Sequence, residues 1–529
     1  MNAESLRKVG AVLCCATLLF FGRESSGGEA LAKSEWVYEG PDHKLVYKTT
    51  PAGDRIMDFS YAGYMGGGVA LPSVAVKKTL AAPNGEDDTA AIQAAVDEVA
   101  KLPLTDVRGS GGGFRGAVLL GPGTFSCAGT INISASGVVL RGSGNGAKEG
   151  EKTTIKLIGK PHNAITVKGD AGGPPAPQQN AGGPPAPQTS IADTYVPSGA
   201  NSLNMADVQG FSVGDWIAIK RPVTAAWLHF MQMDDMVRDG RAQTWIKVGN
   251  ATTAERKIKA IEGKKITVDV PLSDSFDAKY LNPPGTVVEK VKPPALISQI
   301  GIENLHIESP PQAISHTQPH FTALRVNAQD AWVRDVVIDE TMNSVGVNGR
   351  RITLENVAVN RKALHQGSSR PAEFAPNGSQ VLLNKCTVHA DNVWFVATGA
   401  GVSGPVVLLE CTFTGKGRAE SHQRWSTGML YDNCKVPQGG IEFRNRGEMG
   451  SGHGWSMGWG VIWNCEAEDY IVQNPPGAMN WMIGCIGANK LAPRPFGKGP
   501  ELPAGVIDSN GTKVGPGSLY RAQLKERLK

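Results

Sequence analysis

A short pattern of apolar and polar positions recurs eight times between residues 302 and 485. In each copy an apolar residue is followed by two residues, the second usually polar, and then by a small apolar residue that is often cysteine. Successive copies end 20 to 31 residues apart, which is the spacing of one coil in a solenoid with loops of variable length. The copies are Ile302–Leu305, Val333–Val336, Leu354–Val357, Leu383–Cys386, Leu408–Cys411, Tyr431–Cys434, Ile462–Cys465 and Met482–Cys485.

The spacing of apolar residues around each copy predicts two strands joined by a bend. Another apolar or small residue usually follows two positions later, as Val359 follows Val357, and a period of two indicates a strand with one buried face. The spacing of three within the copy breaks that period, often at Asn or Asp, which tolerate the left-handed backbone of a sharp bend. The sequence therefore predicts an all-β stack of bent coils, each hydrogen-bonded to the next.

Five of the eight cysteines end consecutive copies of the pattern. Free cysteine behaves as a small buried hydrophobe, so we interpret the five as a packing ladder of reduced thiols. Neighbouring coils lie about 4.8 Å apart, and disulfides between them are the alternative. The sequence has no Cys-x-x-Cys pair, which argues against a zinc site. The ladder residues are Cys386, Cys411, Cys434, Cys465 and Cys485.

The first 32 residues have the features of a secretory signal peptide. Arg7 and Lys8 precede the apolar run Ala11–Phe21, and Ala30–Ala32 offers an A-x-A cleavage site. The apolar run is too short to span a bilayer comfortably, and no later stretch is longer. We therefore expect a secreted or periplasmic protein without stable membrane insertion.

The remaining chain divides into three parts. Residues 33–75 form an irregular segment, residues 76–490 carry the coils, and residues 491–529 form a tail. Within the coils, residues 171–188 contain Ala-Gly-Gly-Pro-Pro-Ala-Pro-Gln twice and predict a flexible surface insertion, because such a segment cannot pack into a core. Residues 222–256 lose the periodicity and predict an excursion from the stack.

Helical spacing occurs near both ends of the stack. Ile92, Val96 and Val99 follow Asp88 and Thr89, which supply N-cap chemistry, and predict a helix over the open first coil. A cap is needed there because an uncovered stack exposes a sheet edge. The segment from 518 to 528 has apolar residues at helical spacing and predicts a C-terminal helix lying on the last coils.

Composition and charge narrow the possible partners. The chain has 65 Gly, 34 Pro and only 19% charged residues, which suits a solenoid of strands and turns. A net charge of +4 is too small to indicate nucleic-acid binding, but it is compatible with an acidic polymer if the positive charge is local. We expect a monomer whose partner is a polysaccharide.

Three segments carry a resemblance to a known superfamily. The runs Asn84–Gln93, Pro122–Phe125 and Ser136–Gly144, with the coils to residue 487, resemble the pectate-lyase-like superfamily. The resemblance implies a single-stranded right-handed parallel β-helix over most of residues 76–490. It does not imply one reaction, because that superfamily holds polysaccharide lyases, glycoside hydrolases, epimerases and phage tailspikes.

Candidate site residues lie at outward positions, because the inward positions of a solenoid form its core. Strand alternation predicts that Glu442, Arg444 and Arg446 share an outer face, and that His422 shares one with Arg424. The predicted catalytic residues are His422, Arg424, Arg444 and His453. The predicted substrate-binding residues are Arg361, Lys362, His365, Trp394, Glu420, Trp425, Arg446, Glu448 and Trp459.

This cluster suits β-elimination from a uronate-containing glycan. Cations neutralise the C6 carboxylate and the charge that develops as the C5 proton leaves, while His422 or His453 accepts the proton. The tryptophans offer apolar platforms for sugar rings. The leading hypothesis is therefore an exported polysaccharide lyase.

Three alternatives stay open. A glycoside hydrolase would need two carboxylates, for which Asp391, Glu420 and Glu448 are available. A glycan-binding or tailspike-like protein would use the same surface without catalysis. In the simplest alternative Glu442 and Arg446 form only cross-strand ion pairs. Whether calcium takes part is also open, and no other cofactor is indicated.

Overall fold

The computed structural model describes residues 31–105, 113–148, 150–169, 186–293, 295–496 and 501–529. The predicted signal peptide, residues 1–32, lies almost wholly outside the described residues, as does most of the duplicated segment 171–188. Within the described ranges, no helix has the length and apolar character to cross a bilayer.

One sheet of 25 strands dominates the described part of the chain. All of its strand pairings are parallel, so each coil hydrogen-bonds to the next in the same direction. Its strands are Val76–Leu80, Gly116–Leu120, Gly123–Cys127, Ile131–Ile133, Val138–Gly142, Thr153–Leu157, Asn163–Val167, Ser298–Glu308, Thr322–Asp339, Val345–Arg361, Ala372–Pro376, Ser379–Asn384, Thr387–Ala390, Val393–Thr398, Ser403–Leu409, Thr412–Thr414, Gly417–Ser421, Ser426–Asp432, Lys435–Phe443, Met457–Gly458, Val461–Trp463, Glu466–Val472, Trp481–Ile483, Ile486–Asn489 and Val506–Asp508.

The eight copies of the sequence pattern stack in register. The first residue of each copy pairs with the first residue of the next, from Ile302 through Tyr431 to Met482. The column continues to Leu140 at one end and to Ile507 at the other. The predicted all-β stack of coils is therefore confirmed, and it extends beyond residue 490.

The predicted bend is present in every copy of the pattern. The third residue of each copy has a positive φ, between 51° and 66°, which turns the chain sharply between two strands. Asn and Asp adopt this conformation most readily among residues with a side chain, and a chain of coils needs it once per corner. The eight residues are Asn304, Asp335, Asn356, Lys385, Glu410, Asn433, Asn464 and Gly484.

The cysteine ladder is buried and unbonded. All five ladder thiols, together with Cys127, are free and inaccessible to solvent. Each ladder thiol lies 3.4–3.5 Å from the backbone carbonyl oxygen of the first residue in the preceding copy, as Cys434 Sγ does from Leu408 O. Burial raises the pKa of the Cys411 and Cys465 thiols well above its ordinary value, so these two thiols are protonated at neutral pH.

An antiparallel sheet of six strands interrupts the stack between the strands that end at Val167 and begin at Ser298. It is larger than the predicted excursion at 222–256, and it includes Gln188, the last residue of the duplicated segment. Its apolar face covers one flank of the coils in a second core that joins Ile217 and Ile219 to Trp463 and Trp481. The six strands are Gln188–Ser190, Ser202–Asn204, Trp216–Pro222, Ala251–Glu262, Lys265–Val268 and Val287–Val291.

Short two-stranded pairs and helices complete the fold. The pairs are Ala32–Lys33 with Val514–Gly515, Val37–Glu39 with Leu45–Tyr47, Tyr195–Val196 with Phe276–Asp277, and Val237–Arg238 with Arg241–Ala242. The helices are Thr89–Ala100, Ala225–Phe230, Ala278–Leu281 and Leu519–Arg527, with one 3₁₀ turn at Tyr64–Gly66.

The predicted N-terminal helix is confirmed as Thr89–Ala100. Ile92, Val96 and Val99 are buried against the first coils, so the helix covers the open end of the stack. Asp88 occupies the N-cap position, but its carboxylate accepts from the backbone amides of Asn84 and Ser126, at 2.8 and 3.0 Å, instead of from the helix. The cap residue therefore ties the helix to the strand Gly123–Cys127.

The predicted C-terminal helix is present as Leu519–Arg527, but it contacts earlier coils at Glu410 and Asp432 instead of the last coils. It lies against the irregular N-terminal segment: the Arg527 guanidinium donates to Ser60 Oγ at 2.7 Å and to the carbonyl oxygens of Ser60, Gly66 and Gly67 at 2.9–3.2 Å. The Gln523 side chain accepts from the Phe59 amide at 2.9 Å. The two ends of the described chain are thus joined on one flank of the coils.

Candidate functional site

Strand alternation places the charged residues of two adjacent coils on one outer face. Ala419 and Ile441 pair with each other and point into the core, which leaves Glu420 and Glu442 outward in neighbouring strands. Phe443 is also in the core, so the predicted outward placement of Arg444 is consistent with the structure. Because neighbouring strands lie about 4.8 Å apart, side chains that are 20–30 positions apart in sequence can contact the same sugar ring on this face.

Glu420, His422 and Arg446 form the centre of this face. The Glu420 carboxylate contacts both the Arg446 guanidinium and Nδ1 of His422. Arg446 Nη1 also lies 2.9 Å from His422 Nδ1. The side chains of Glu420 and Arg446 are only 1% and 4% exposed, whereas that of His422 is 22% exposed. Two buried charges therefore support one imidazole that reaches solvent.

Two contacts act on Nδ1 of His422. The Glu420 carboxylate only accepts hydrogen bonds and favours a proton on Nδ1, whereas Arg446 Nη1 only donates, lies 2.9 Å from the same atom and favours a lone pair there. The tautomer with the proton on Nδ1 satisfies Glu420, and it is the one that would leave the lone pair on Nε2. Burial lowers the pKa of His422 to about 4, which keeps the ring neutral at pH 7. A neutral imidazole can accept a proton, although a pKa of about 4 makes it a weaker base than a group whose pKa lies near the operating pH.

His453 and Trp394 complete the cluster. The rings of His422 and His453 are 4.8 Å apart, and the Trp394 ring lies 5.4 Å from His422. The pKa of His453 is lowered to about 3, chiefly by burial and also by the neighbouring His422, Arg446 and Arg424. Its Nδ1 atom is buried without a hydrogen-bond partner among the described residues. The structure thus brings together His422, His453, Glu420, Arg446 and Trp394, as predicted.

Arg370 belongs to this site but was not predicted. Its guanidinium lies over the Trp394 ring at 5.0 Å, on the ring that also receives Arg446 at 4.8 Å. Burial and the positive charge of Arg370 lower the pKa of Arg446 to about 9. Arg370 has no hydrogen-bond partner in the described ranges, so it is a cation available to a ligand. It lies in the loop after Arg361, and its sequence context, Ser-Ser-Arg-Pro, carries no periodic signal.

Arg424 and Arg444 sit at the edge of the cluster, where backbone and side-chain acceptors hold them. Arg424 Nε donates to the carbonyl oxygen of Trp245 at 2.8 Å, and Nη2 donates to Ser451 Oγ at 2.7 Å. Arg444 Nη2 lies 3.4 Å from the carbonyl oxygen of Pro493, and Nη1 lies 3.7 Å from Glu442. Both guanidinium groups position loops around the cleft.

Three predicted binding residues lie one coil away from the cluster. Arg361 is buried and paired with the buried Glu373 at 3.2 Å. His365 is also buried; its Nε2 lies 2.8 Å from the carbonyl oxygen of Ser369, and burial lowers its pKa. Lys362 is exposed. Arg361 and His365 thus support the loop that presents Arg370.

Three further predicted binding residues do not point into the cluster. They are Trp425, Trp459 and Glu448. Trp425 and Trp459 are each 3% exposed and pack in the second core with the inserted sheet. Trp425 Nε1 donates to Asp274 at 2.9 Å. Glu448 is paired with Arg494 at 2.6 Å.

Glu442 forms the simple ion pair that was one of the alternatives. Arg418 lies 2.6 Å from Glu442 and 2.6 Å from Asp469, which also contacts Lys490. These four charges extend the outer face beside the cluster. Across the ranges that the structure covers, no three His, Cys, Asp or Glu side chains converge as a metal site would require.

The comparisons with known proteins concern the fold alone. No protein-family profile matches the chain, and no curated protein matches it by sequence. Among solved structures, the chain is similar to a tailspike of Acinetobacter baumannii bacteriophage AP22 in complex with A. baumannii capsular saccharide, with 10% identity, a TM-score of 0.34, and coverage of 76% of this chain and 61% of that one. It is also similar to a tailspike of Pseudomonas phage LKA1, with 12% identity, a TM-score of 0.37, and coverage of 76% and 63%.

A third similar structure is the A-module of the mannuronan C-5 epimerase of Azotobacter vinelandii, with 10% identity, a TM-score of 0.27, and coverage of 82% of this chain and 94% of that one. The chain spans about three-fifths of the two tailspikes. Likeness at these TM-scores carries no argument about activity. The chain's own parallel sheet agrees with the stack of coils that the sequence predicts.

Proposed function

We propose that this protein is a carbohydrate-active enzyme that cleaves an acidic, uronate-containing glycan by β-elimination. We also propose that the coils form a single-stranded right-handed parallel β-helix, that residues 1–32 direct export, and that the protein acts as a secreted or periplasmic monomer. The observation that carries the proposed activity is the neutral His422, whose Nδ1 contacts the buried Glu420 carboxylate and whose Nε2 is left as a base.

In the proposed reaction Nε2 of His422 accepts the C5 proton of a uronate unit. The electron pair of the C5–H bond forms the C4–C5 double bond, the C4–O bond breaks, and the leaving oxygen takes a proton from solvent. Arg446 and Arg370 lie on one aromatic ring and offer the positive charge that stabilises the enolate-like intermediate. Trp394 holds both guanidinium groups beside His422.

The environment of the carboxylates favours elimination over hydrolysis. An inverting or retaining glycosidase needs one protonated carboxylic acid to donate to the leaving oxygen. Arg446 contacts Glu420, and Arg494 contacts Glu448, so each of the two carboxylates is engaged in an ion pair inside the protein. Asp391 is exposed and accepts from the Lys416 amide at 2.6 Å. None of the three is placed as a general acid.

The test is a screen of uronate-containing and neutral polysaccharides with two readouts. Elimination creates an unsaturated uronate that absorbs in the ultraviolet, whereas hydrolysis creates reducing ends without this absorbance. We expect ultraviolet-absorbing product from a uronate polymer, at least a hundredfold less from His422→Gln, and wild-type rates from His389→Ala, which changes an exposed histidine in a neighbouring coil.

Three results would contradict the proposal. Reducing ends without absorbance would indicate a hydrolase. Binding without any product would indicate a tailspike-like glycan-binding protein. Full activity in His422→Gln, with an unchanged melting temperature, would remove the base from this site.

A further inference from the structure

A cavity of about 510 Å³ lies on the flank of the coils, away from the His422 cluster. Three parts of the chain form its wall: the N-terminal segment around residues 50–54, the inserted sheet, and the coil corners at Trp425, Trp459 and residues 474–479. None of the residues that line the cavity belongs to the Glu420, His422, Arg446 and His453 cluster. Pockets of this size commonly hold small ligands or single sugar units.

Aromatic rings make up much of the cavity wall. Phe230 and Tyr280 stack with ring centroids 3.9 Å apart, and both are only half-buried. Trp227 and Trp425 meet edge to face at 5.7 Å on another side. Flat aromatic faces of this kind cover the C–H face of a pyranose ring, which is the apolar side of a sugar.

The cavity wall also contains buried N–H groups that make no hydrogen bond to any of the described residues. The Arg221 side chain is 6% exposed, and its Nε and Nη1 atoms make no hydrogen bond within the described residues. The nearest carboxylate, Asp274, lies 3.6 Å from Arg221 Nε, beyond hydrogen-bond distance. The indole N–H of Trp459 is likewise buried without a partner in the described part of the chain. Buried donors are costly unless a ligand or water accepts from them.

The charges around the cavity indicate a neutral ligand. Arg221 is balanced by Asp274, and two further carboxylates, Asp54 and Asp277, line the wall. Asp54 already accepts from the Tyr195 hydroxyl at 2.8 Å and from the Ser198 amide at 2.9 Å. Three carboxylates around one guanidinium disfavour an anion, so this cavity differs in charge from the cationic His422 cluster.

We propose that this cavity binds a neutral sugar ring. Arg221 and Trp459 donate to its hydroxyl groups, and Asp277, which also lines the cavity, accepts from them. The stacked pair Phe230 and Tyr280 covers its apolar face. The site is independent of the proposed elimination, because it uses different residues and the opposite charge preference.

The test measures binding to a variant that cannot turn over substrate. Isothermal titration and saturation-transfer NMR are carried out on His422→Gln with methyl glucoside, methyl galactoside, methyl mannoside and methyl N-acetylglucosaminide, and with methyl glucuronide as the charged analogue. We expect saturable binding of at least one neutral glycoside and weaker binding of the glucuronide.

Two variants and one control locate the binding. Trp459→Phe keeps an aromatic ring, though a smaller one, and removes the N–H, and Phe230→Ala removes half of the stacked pair; each should weaken binding about tenfold. Phe496→Ala, which removes an exposed ring elsewhere, should not weaken it. Because Phe230 is half-buried on a short helix, its variant should fold even if Trp459→Phe does not.

The proposal would be overturned by any of three outcomes. These are no saturable binding of any neutral glycoside, tighter binding of the glucuronide than of its neutral counterpart, or unchanged affinity in Phe230→Ala with an unchanged melting temperature. None of them bears on ultraviolet-absorbing product in the polysaccharide screen, so failure here is distinct from failure of the proposed elimination.

Discussion

Burial acts on Glu420 and His422 in different ways although they are two positions apart. The carboxylate is held next to the Arg446 guanidinium, so its charge is compensated inside the protein. The imidazole has no anion of its own beyond that shared carboxylate, and burial favours its neutral form. Removing Arg446 would therefore leave Glu420 buried without a counter-charge, a change that is usually strongly destabilising.

Because His422 is neutral in the folded protein, the free energy of unfolding should fall as the pH is lowered. Its pKa is about 4 in the folded protein, and an unfolded histidine has a pKa of about 6.5, so the unfolded chain binds the proton more tightly. Stability is complete above about pH 6.5 and falls as the pH drops towards about 4, by up to about 3 kcal/mol from this group. Urea unfolding at several pH values in this window measures the effect.

The matched variant for this measurement is His422→Gln, which cannot be protonated. We expect the loss of stability between about pH 6.5 and pH 4 to be smaller in this variant than in the wild type. An identical pH dependence in the two proteins would show that His422 does not titrate in this range.

The cysteine ladder allows a second prediction at the scale of single atoms. Cys434 Sγ lies between the carbonyl oxygen of Leu408 at 3.4 Å and the next thiol of the ladder, in a core without solvent. Cys434→Ser places a hydroxyl there that needs a stronger hydrogen bond than the site provides, and it should destabilise the protein by roughly 1–3 kcal/mol. Thermal unfolding measures the change, and thiol titration of the denatured, unreduced protein should find most of the six buried cysteines.

Two results would contradict the ladder. Absence of titratable thiols would mean that the cysteines form disulfides. A Cys434→Ser variant as stable as the wild type would mean that the position tolerates a polar group, and therefore that it is less tightly packed than the structure indicates.

At the scale of elements, the coils were predictable because each copy of the pattern carries its own bend. A residue that readily adopts the left-handed backbone conformation, such as Asn304 or Asn464, marks the bend in the sequence itself. The buried residue that follows it recurs at every corner. The outward face was predictable over a short stretch for the same reason, because Ile441 and Phe443 enter the core and Glu442 between them does not.

Other parts of the site depend on contacts that sequence spacing does not contain. The sequence predicted that Trp425 and Trp459 bind sugar rings at the surface. In the structure Trp425 is covered by Asp274 and Trp245, which lie between the strands of the inserted sheet and more than 150 positions away in sequence. Arg370 lies in an aperiodic loop, and only the position of Trp394 in the next coil gives it a role. Long-range packing therefore decided which candidates gathered into one cluster.

The structure shows where the duplicated Pro/Gly segment joins the inserted sheet, and this point limits how much of the segment can be deleted. Its last residue, Gln188, pairs with Glu289, and the Pro187 carbonyl accepts from the Lys290 amide at 2.8 Å, so residues 187 and 188 belong to the inserted sheet. Deleting residues 171–185 should leave the melting temperature within a few degrees of wild type, because a Pro/Gly repeat buries little apolar surface.

Calorimetry of the deletion variant is the measurement. A control deletion extended to residue 190 removes the strand Gln188–Ser190 and should lower the melting temperature. A large fall after the shorter deletion alone would show that the duplicated segment packs against the protein.

At the scale of the whole molecule, the two ends of the described chain hold each other on one flank of the coils. Arg527 binds the N-terminal segment through four contacts, whereas Lys525, in the same last turn of the C-terminal helix, is exposed. Arg527→Ala should lower the free energy of unfolding by roughly 1–3 kcal/mol and make residues 56–67 more accessible to protease. Lys525→Ala removes the same charge and should change neither.

Limited proteolysis with mass spectrometry locates the first cleavage sites in the two variants. Equal protection of residues 56–67 in Arg527→Ala and in the wild type would show that the C-terminal helix does not hold the N-terminal segment in place.

This contact between the ends has a consequence for biosynthesis. A chain is made from its N-terminus, so residues 56–67 emerge early, while Gln523 and Arg527, which bind them, emerge last. The N-terminal segment can therefore contact the coils first, as the Tyr64 amide contacts Thr353 Oγ1 at 2.8 Å, and gains its contacts with the C-terminal helix only afterwards. A chain that stops before the final helix would carry a segment with exposed backbone carbonyls, which proteases recognise, so premature termination would mark the product for removal.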